Sequence, residues 1–150
     1  MPTSAIEAIV HVLLIEDSPG DVRLTREVFR DTAAGIHLHV VDDGIEAMAF
    51  LAREGAHADA PRPDIILLDL NLPKMNGREV LALIKDDQKL KSIPTIILTT
   101  SRAPADIATS YRLGANCYLN KSSELDAFVN LVKDINDFWL MARPALRTGD

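Results

Sequence analysis

A run of four consecutive apolar residues in the middle of the chain, Ile65 to Leu68, constrains the fold more than any other segment. Pro63 precedes the run and a turn-rich segment follows it. A continuous run of this kind is typical of a strand buried on both faces, and such strands occur in parallel sheets covered by helices. The run ends at Asp69, so the sequence predicts a carboxylate at the carboxyl end of a buried strand, where open α/β sheets bind ligands.

The same order, an apolar run followed by a helical segment, recurs along the chain. The predicted strands are His11 to Ile15, Ile36 to Val41, Ile65 to Leu68, Thr95 to Thr99 and Ala115 to Leu119. Five such units in succession predict an α/β fold in which right-handed crossovers place helices on both faces of a parallel sheet. No repeat, linker or low-complexity segment divides the sequence, so we predict one domain over residues 1–150.

Helix-start signals support this order. Asn76 followed by Glu79 fits a capping box, and Asp43 followed by Glu46 fits the same pattern. The second predicted helix has apolar residues that recur at helical spacing, namely Ile45, Met48, Ala49 and Ala52. This spacing is typical of the apolar side of an amphipathic helix.

Composition excludes several classes of protein. The net charge of -6 and the isoelectric point of about 5.1 argue against a general nucleic-acid-binding surface. Cys117 is the single cysteine, so no internal disulfide can form, as is usual in a reducing compartment. No apolar run is long enough to span a bilayer. We expect a cytoplasmic protein that binds neither membrane nor nucleic acid.

Polar side chains lie at the carboxyl ends of four of the predicted strands. They are Glu16, Asp17, Asp69, Thr99 and Lys121. Because the carboxyl ends of parallel strands meet at one edge of the sheet, we expect these residues to converge there. Clustered carboxylates repel one another unless a proton or a cation lies between them, and oxygen-only ligands suit Mg²⁺. With an ammonium and a hydroxyl beside them, they can stabilise a phosphoryl group in transfer.

The segments LLIED, IILLDLNLPKMNG, PTIILTTS and ANCYLNK strongly resemble the receiver domain of two-component response regulators. The resemblance covers about residues 10–141. Its finer features, EDSPGD, CYLNKS and DFWL, are similar to small single-domain regulators that pair with bacterial and cyanobacterial phytochrome kinases. It implies a flavodoxin-like, doubly wound (βα)5 fold with a five-stranded parallel sheet in the order 2-1-3-4-5.

The resemblance also implies a role for each site residue. Asp69 is the expected phosphoacceptor, and Thr99 and Lys121 are expected to contact the phosphoryl oxygens. The Mg²⁺ ligands are expected to be Glu16, Asp17, Asp69 and the backbone carbonyl of Asn71. Tyr118 matches the aromatic position that changes rotamer together with Thr99 on activation.

Three positions depart from the family pattern. Glu16 stands where aspartate is commoner, so a longer side chain shares the metal site. Ser122 follows Lys121 where the family usually has proline, and Thr100 is bulkier than the usual alanine or glycine. These departures bear on the rate and lifetime of phosphorylation.

The histidines and the cysteine have plainer interpretations. His37 and His39 lie two residues apart and share a face of the second strand. They could form a metal pair, but no third ligand is near in sequence, so we interpret them as solvated or core-edge residues. His11 and His57 likewise have no evident partner. Cys117 is interpreted as a small apolar filler.

The last predicted helix, which runs to about Met141, carries a wider apolar surface than packing on one sheet requires. Its stripe comprises Leu125, Phe128, Val129, Val132, Ile135 and Trp139, and apolar residues off the stripe include Leu131 and Phe138. We predict a homodimer through the fourth helix, fifth strand and fifth helix, with Leu131, Phe138 and Trp139 in the interface. The alternative is a tail that folds back over its own domain.

The sequence favours a stand-alone phosphoacceptor without an output domain over two other functions. The expected partner of the protein is a sensor histidine kinase of the phytochrome type. The protein is not expected to be an enzyme, except that it promotes its own phosphorylation and dephosphorylation. A Mg²⁺-dependent phosphatase usually has a second aspartate two residues after the nucleophile, where this chain has Asn71. A phosphorylation-independent interaction module is expected to lack an acid or the lysine, and all are present.

Overall fold

The computed structural model describes residues 10–32, 36–100, 103–121 and 125–134. The strands are β1 (Val10–Ile15), β2 (Ile36–Val41), β3 (Ile65–Leu68), β4 (Thr95–Thr99) and β5 (Cys117–Asn120). The helices are α1 (Pro19–Thr32), α2 (Gly44–Ala52), α3 (Gly77–Asp86) and α4 (Pro104–Arg112), with a 3-10 turn at Gly55–His57. Residues 125–134 form the described part of helix α5. No helix within these ranges is long and apolar enough to cross a membrane.

The strands of the described ranges form one parallel sheet in the order β2-β1-β3-β4-β5. This confirms the predicted fold and strand order. Strand β3 lies in the middle and all of its residues are buried, as its continuous apolar run predicts.

Strand β5 begins two residues later than predicted, at Cys117 rather than Ala115. The backbone N–H of Ala115 donates to the carbonyl of Ser110 at 2.9 Å and so belongs to the end of α4. Asn116 binds Thr95 partly through its side chain, whose Oδ1 accepts from the Thr95 N–H at 2.9 Å. Asn116 is thus joined to Thr95 by a side-chain bond as well as by the backbone bond from its own N–H at 2.8 Å, and the regular strand begins only at Cys117.

Two apolar cores lie on opposite faces of the sheet. The core on the α2 and α3 side includes Leu13, Ile15, Phe50, Ile66, Leu68, Val80, Leu81, Ile84 and Ile97. The core on the α1 and α5 side includes Val12, Leu14, Val28, Phe29, Leu67, Leu98, Phe128 and Val132. Burial of this surface is the main force that holds helices on both faces.

The face of α2 that meets the core differs from the predicted one. Its buried residues include Ala47, Phe50 and Leu51, whereas Ile45 is 49% exposed. The helix is apolar almost throughout, so its sequence does not single out one side. The caps are as predicted: Asp43 Oδ1 accepts from the Glu46 N–H at 2.7 Å, and Asn76 and Glu79 form a capping box.

Candidate functional site

The carboxyl ends of the strands place the predicted polar residues at one edge of the sheet. The backbone hydrogen bonds of the sheet extend one residue past the ends of β3 and β5. The Asp69 N–H donates to Ile15 O at 3.0 Å, and the Lys121 N–H donates to Thr99 O at 2.8 Å. The Glu16 N–H likewise donates to the carbonyl of Val41 at 2.9 Å. The backbones that carry the acids and the lysine are therefore fixed by the sheet, which makes their relative positions rigid.

Three carboxylates converge at this edge. Glu16, Asp17 and Asp69 each offer one oxygen, and these oxygens all lie within 4.8 Å of one another. Glu16 and Asp69 are only 2% and 6% exposed, whereas Asp17 is open to solvent. Oxygen donors at this spacing, with one side open to water, fit a hard divalent cation that retains several water ligands.

Lys121 lies among the acids. Its Nζ donates to Glu16 Oε1, to Asp21 Oδ2 at 2.8 Å and to Asp69 Oδ2 at 3.2 Å, and its side chain is 15% exposed. One buried ammonium thus supplies positive charge to three carboxylates. Because it is a compact charge on a flexible stem, it can also reach an anion bound beside Asp69.

Burial and ion pairing act in opposite directions on the pKa values of Glu16 and Lys121. Burial raises the pKa of Glu16 to about 7, with Asp69 adding to the shift and the hydrogen bond from Lys121 opposing it. Burial alone lowers the pKa of Lys121, but the neighbouring carboxylates of Asp21, Glu16 and Asp69 outweigh it and the net shift is upward. Lys121 therefore remains charged at neutral pH, and a cation bound beside Glu16 would favour the ionised form of that carboxyl group.

Backbone amides orient the two buried acids. The Asn71 N–H donates to Asp69 Oδ1 at 3.1 Å, and the Ser18 N–H donates to Glu16 Oε2 at 3.2 Å. Each carboxylate is thus held by an amide at one oxygen and by Lys121 at the other. The loop after β3 therefore fixes the orientation of the Asp69 side chain.

The proposed switch residues lie on the two neighbouring strands. Thr99 is fully buried at the end of β4, and Tyr118 is half-buried in β5. Tyr118 is in register with Ile97, two residues before Thr99, so alternation places the three side chains on the same face of the sheet. Tyr118 packs against the core on the α2 and α3 side.

Of the positions that depart from the family pattern, two can be placed. Glu16 joins the acidic cluster, and Thr100 is exposed immediately after β4. Ser122 lies outside the described residues, as do Phe138 and Trp139 of the predicted interface. Leu131 is half-buried and packs against the core on the α1 and α5 side, so only part of its side chain faces outward.

Sequence reasoning missed one residue of the site, Asp21. Asp21 lies in the first turn of α1, and that turn brings its carboxylate to Lys121, 100 positions away in sequence. Its side chain is 40% exposed and lies outside the three-carboxylate cluster. The spacing of four residues from Asp17 carries no signal that points to a distant lysine.

The interpretation of His11 and His57 as residues without partners was wrong for both, and His57 Nε2 lies 2.7 Å from Glu46 Oε1. His11 does have partners: its Nδ1 lies 3.0 Å from His39 Nε2, and its ring lies beside that of His37. The three rings lie near the amino ends of β1 and β2, at the end of the sheet opposite the acidic cluster. Parallel pairing of the two strands joins residues that are far apart in sequence.

Comparisons with known proteins agree with this fold. Residues 12–133 match the family described as response regulator receiver domain. Response regulator Rcp1 from Synechocystis sp. is 49% identical over 129 residues, which cover 86% of this chain and 88% of that protein.

Two solved structures are similar over nearly the same span. The Mn²⁺-bound form of Rcp1 has a TM-score of 0.78 and 48% identity, covering 87% of this chain and 94% of that one. The phosphorylated cyanobacterial phytochrome response regulator RcpA has a TM-score of 0.79 and 48% identity, covering 88% and 94%. The resemblance to phytochrome response regulators is thereby confirmed, and the chain belongs to the response regulator receiver domain family.

Proposed function

We propose that Asp69 accepts a phosphoryl group from a sensor histidine kinase and that the phosphorylated protein signals through contacts with other proteins. The observation that carries this proposal is the convergence of Asp69 with two further carboxylates and the buried ammonium of Lys121. Asp69 is held at a rigid sheet edge, which suits a nucleophile that must meet a donor in one orientation.

The proposed transfer is a displacement at phosphorus. A carboxylate oxygen of Asp69 forms the new P–O bond while the P–N bond of the kinase phosphohistidine breaks, and the imidazole nitrogen retains the bonding electrons and takes up a proton. Lys121 Nζ, 3.2 Å from Asp69 Oδ2, donates to a phosphoryl oxygen as charge develops there. The hydroxyl of Thr99 is proposed as a second donor.

We assign a divalent cation, Mg²⁺, to the oxygens of Glu16, Asp17 and Asp69, with the Asn71 carbonyl as a further ligand. The donor set fits, since it consists of oxygens gathered within 4.8 Å. The similar protein Rcp1 has been solved in a Mn²⁺-bound form. When bound, the cation supplies charge that stabilises the phosphoryl oxygens during transfer.

The proposed donor is a kinase of the phytochrome type, in accordance with the description of RcpA as a phytochrome response regulator. The test is the rate at which a phosphorylated phytochrome-type kinase transfers label to this protein, compared with a histidine kinase that lacks a phytochrome sensor. We expect faster transfer from the first kinase and none to Asp69→Asn. Equal rates from both kinases would remove the phytochrome assignment but leave the acceptor intact, whereas label on Asp69→Asn would identify another acceptor.

Neutralising Asp21 is expected to strengthen anion binding. In Asp21→Asn, one carboxylate no longer competes with the anion for Lys121, and one negative charge no longer repels the anion. Both effects raise the affinity for the anion. Because Asp21 is 40% exposed, we expect beryllofluoride to bind only about two- to five-fold more tightly in the presence of Mg²⁺. The measurement is a fluorescence or calorimetric titration of Asp21→Asn and wild type.

Asp86→Asn is the matched control for this titration. It removes the same charge from an exposed position at the end of α3, which packs on the face of the sheet opposite to α1, the helix of Asp21. Its affinity is expected to equal that of wild type. Weaker binding by Asp21→Asn would show instead that Asp21 holds Lys121 in its productive position.

A homodimer through α4, β5 and α5 is part of the proposal. Two large side chains on these helices are well exposed, Tyr111 at 49% and Leu125 at 42%. We expect a dimer by light scattering at tens of micromolar with beryllofluoride, and a monomer for Leu125→Glu. Ile45→Glu, 49% exposed on α2, is the control that should remain dimeric. A wild-type monomer with and without beryllofluoride would refute the dimer.

A further inference from the structure

A second group of ligands lies at the end of the sheet opposite the acidic cluster. His11 is the second residue of β1, and His37 and His39 are the second and fourth residues of β2. His11 is in register with His37, and alternation places His39 on the same face. The sheet thus places three imidazoles side by side on one surface.

The distances within this group are compatible with a shared metal ion. One ring nitrogen from each histidine lies within 4.8 Å of the others, and His11 Nδ1 is 3.0 Å from His39 Nε2. Two imidazole nitrogens bound tetrahedrally to Zn²⁺ lie roughly 3.3 Å apart, given Zn–N bonds of about 2.0 Å. The ring centroids are 5.2, 5.8 and 6.1 Å apart, and the same bonds place them roughly 5 Å apart. Small rotations of the rings are therefore enough to admit an ion.

We propose that His11, His37 and His39 form a binding site for a transition-metal cation, with Zn²⁺ as the ion that fits best. Three neutral imidazoles are a ligand set that zinc accepts, with the fourth position left to water. His37 is exposed and the other two are half-buried, so the site is supported by the protein and open to solvent.

The surroundings favour a cation and hold the rings in place. Asp64 Oδ2 accepts from the backbone N–H of His11 at 2.8 Å, and the backbone N–H of Asp64 donates to His11 O at 2.7 Å, which fixes this carboxylate close to the His11 backbone. The ring of Phe50 packs against His39 at 5.5 Å. Burial lowers the pKa of His11, against the opposing effect of Asp64, and burial together with the neighbouring rings lowers the pKa of His39. Both shifts favour the neutral ring, which is the form that binds a metal.

The fourth histidine is not part of the group. His57 lies on Phe50 at 5.4 Å, and its Nε2 is 2.7 Å from Glu46 Oε1. His57 is therefore bonded to Glu46 and not to the other histidines. Its replacement is a matched control, because it also removes one histidine from the α2 side of the sheet.

The two candidate cation sites differ in chemistry, so one experiment can separate them. Carboxylate oxygens suit Mg²⁺, whereas imidazole nitrogens suit Zn²⁺ and do not compete for Mg²⁺. A bound zinc ion joins β1 to β2, and β2 is a strand at the edge of the sheet. Zinc is consequently expected to stabilise the folded chain by mass action.

The experiment is a zinc titration of tag-free full-length protein with saturating Mg²⁺, in competition with a chromophoric chelator. We expect one Zn²⁺ per chain and an affinity at least about 100-fold lower in His37→Gln, given that loss of a group merely supporting a ligand costs 10- to 100-fold. His57→Gln and Asp69→Asn are expected to bind zinc like wild type. Replacing Zn²⁺ with Co²⁺ should give the intense visible absorption of a tetrahedral site, again lost in His37→Gln.

Several results would overturn the proposal. They are no zinc binding by wild type at saturating Mg²⁺, equal binding by His37→Gln, or binding that disappears in Asp69→Asn, which would place the ion in the acidic cluster. His37 is exposed, so its replacement should leave the fold intact, and circular dichroism checks this. The shift of the NMR signals of the His37 ring on zinc addition provides a second measurement, made on the protein without substitutions.

Discussion

Lys121→Met is expected to make the stability of the fold depend on a divalent cation. Without the ammonium, the buried carboxylates of Glu16 and Asp69 face each other with no positive charge between them. Leaving buried charges unpaired in this way costs on the order of 3 kcal/mol. Because the pKa of Glu16 is already raised to about 7 with Lys121 present, the full loss is expected only at alkaline pH, where Glu16 stays ionised. Urea denaturation in EDTA at alkaline pH should show a loss of this size in the free energy of unfolding, and Mg²⁺ should restore most of it.

The control is Lys74→Met. Lys74 also pairs with a buried acid, Asp43, at 3.3 Å, but its side chain is 66% exposed. Exposed pairs contribute about 1 kcal/mol or less, so this variant should resemble wild type with and without Mg²⁺. The account of the site is contradicted if Lys121→Met equals wild type in EDTA, or if Mg²⁺ stabilises both proteins by the same amount.

Gly77→Ala is expected to destabilise the protein and to disturb the loop that carries Asp69. A methyl group at Gly77 would lie 2.3 Å from the backbone oxygen of Asp69 and 2.5 Å from Cα of Leu70. These are backbone atoms in the loop after β3, so they cannot rotate away. Overpacking typically costs 1–3 kcal/mol, and here we expect roughly 3 kcal/mol. Since the loop must shift, affinity for Mg²⁺ should also fall.

Gly20→Ala provides the matched comparison. Gly20 lies in the first turn of α1, and a methyl group there meets nothing within 4 Å. Because alanine favours helix more than glycine does, this variant should be as stable as wild type or slightly more stable. Both variants are measured by urea denaturation and Mg²⁺ titration. If Gly77→Ala matched Gly20→Ala in both, the close approach of α3 to Asp69 would have no energetic importance.

The sequence predicts most of the fold because the information is local. The apolar run at Ile65–Leu68 allows few structures other than a central parallel strand, and the cap at Asn76 fixes where α3 begins. Strand ends then place Glu16, Asp69 and Lys121 at the same edge by topology alone.

The features that sequence did not reveal depend on contacts between distant residues or on patterns without a clear period. The pairing of Asp21 with Lys121 spans 100 positions, and that of His11 with His39 spans 28. The apolar sequence of α2 has no polar side to define its orientation. The sequence therefore assigned Ile45 to the apolar side of the helix, whereas the structure exposes it to solvent. Asn116 precedes β5 and accepts the Thr95 N–H through its side chain, a contact that the apolar pattern does not indicate.

The most direct test of the central claim is the intact mass of the protein after incubation with Mg²⁺ and acetyl phosphate, beside Asp69→Asn. We expect wild type to gain the mass of one phosphoryl group and Asp69→Asn to gain none. Steady release of phosphate without an adduct would favour the phosphatase alternative. An equal adduct on Asp69→Asn, or an inert wild-type protein that also fails to bind beryllofluoride, would contradict the assignment of Asp69 as the phosphoacceptor.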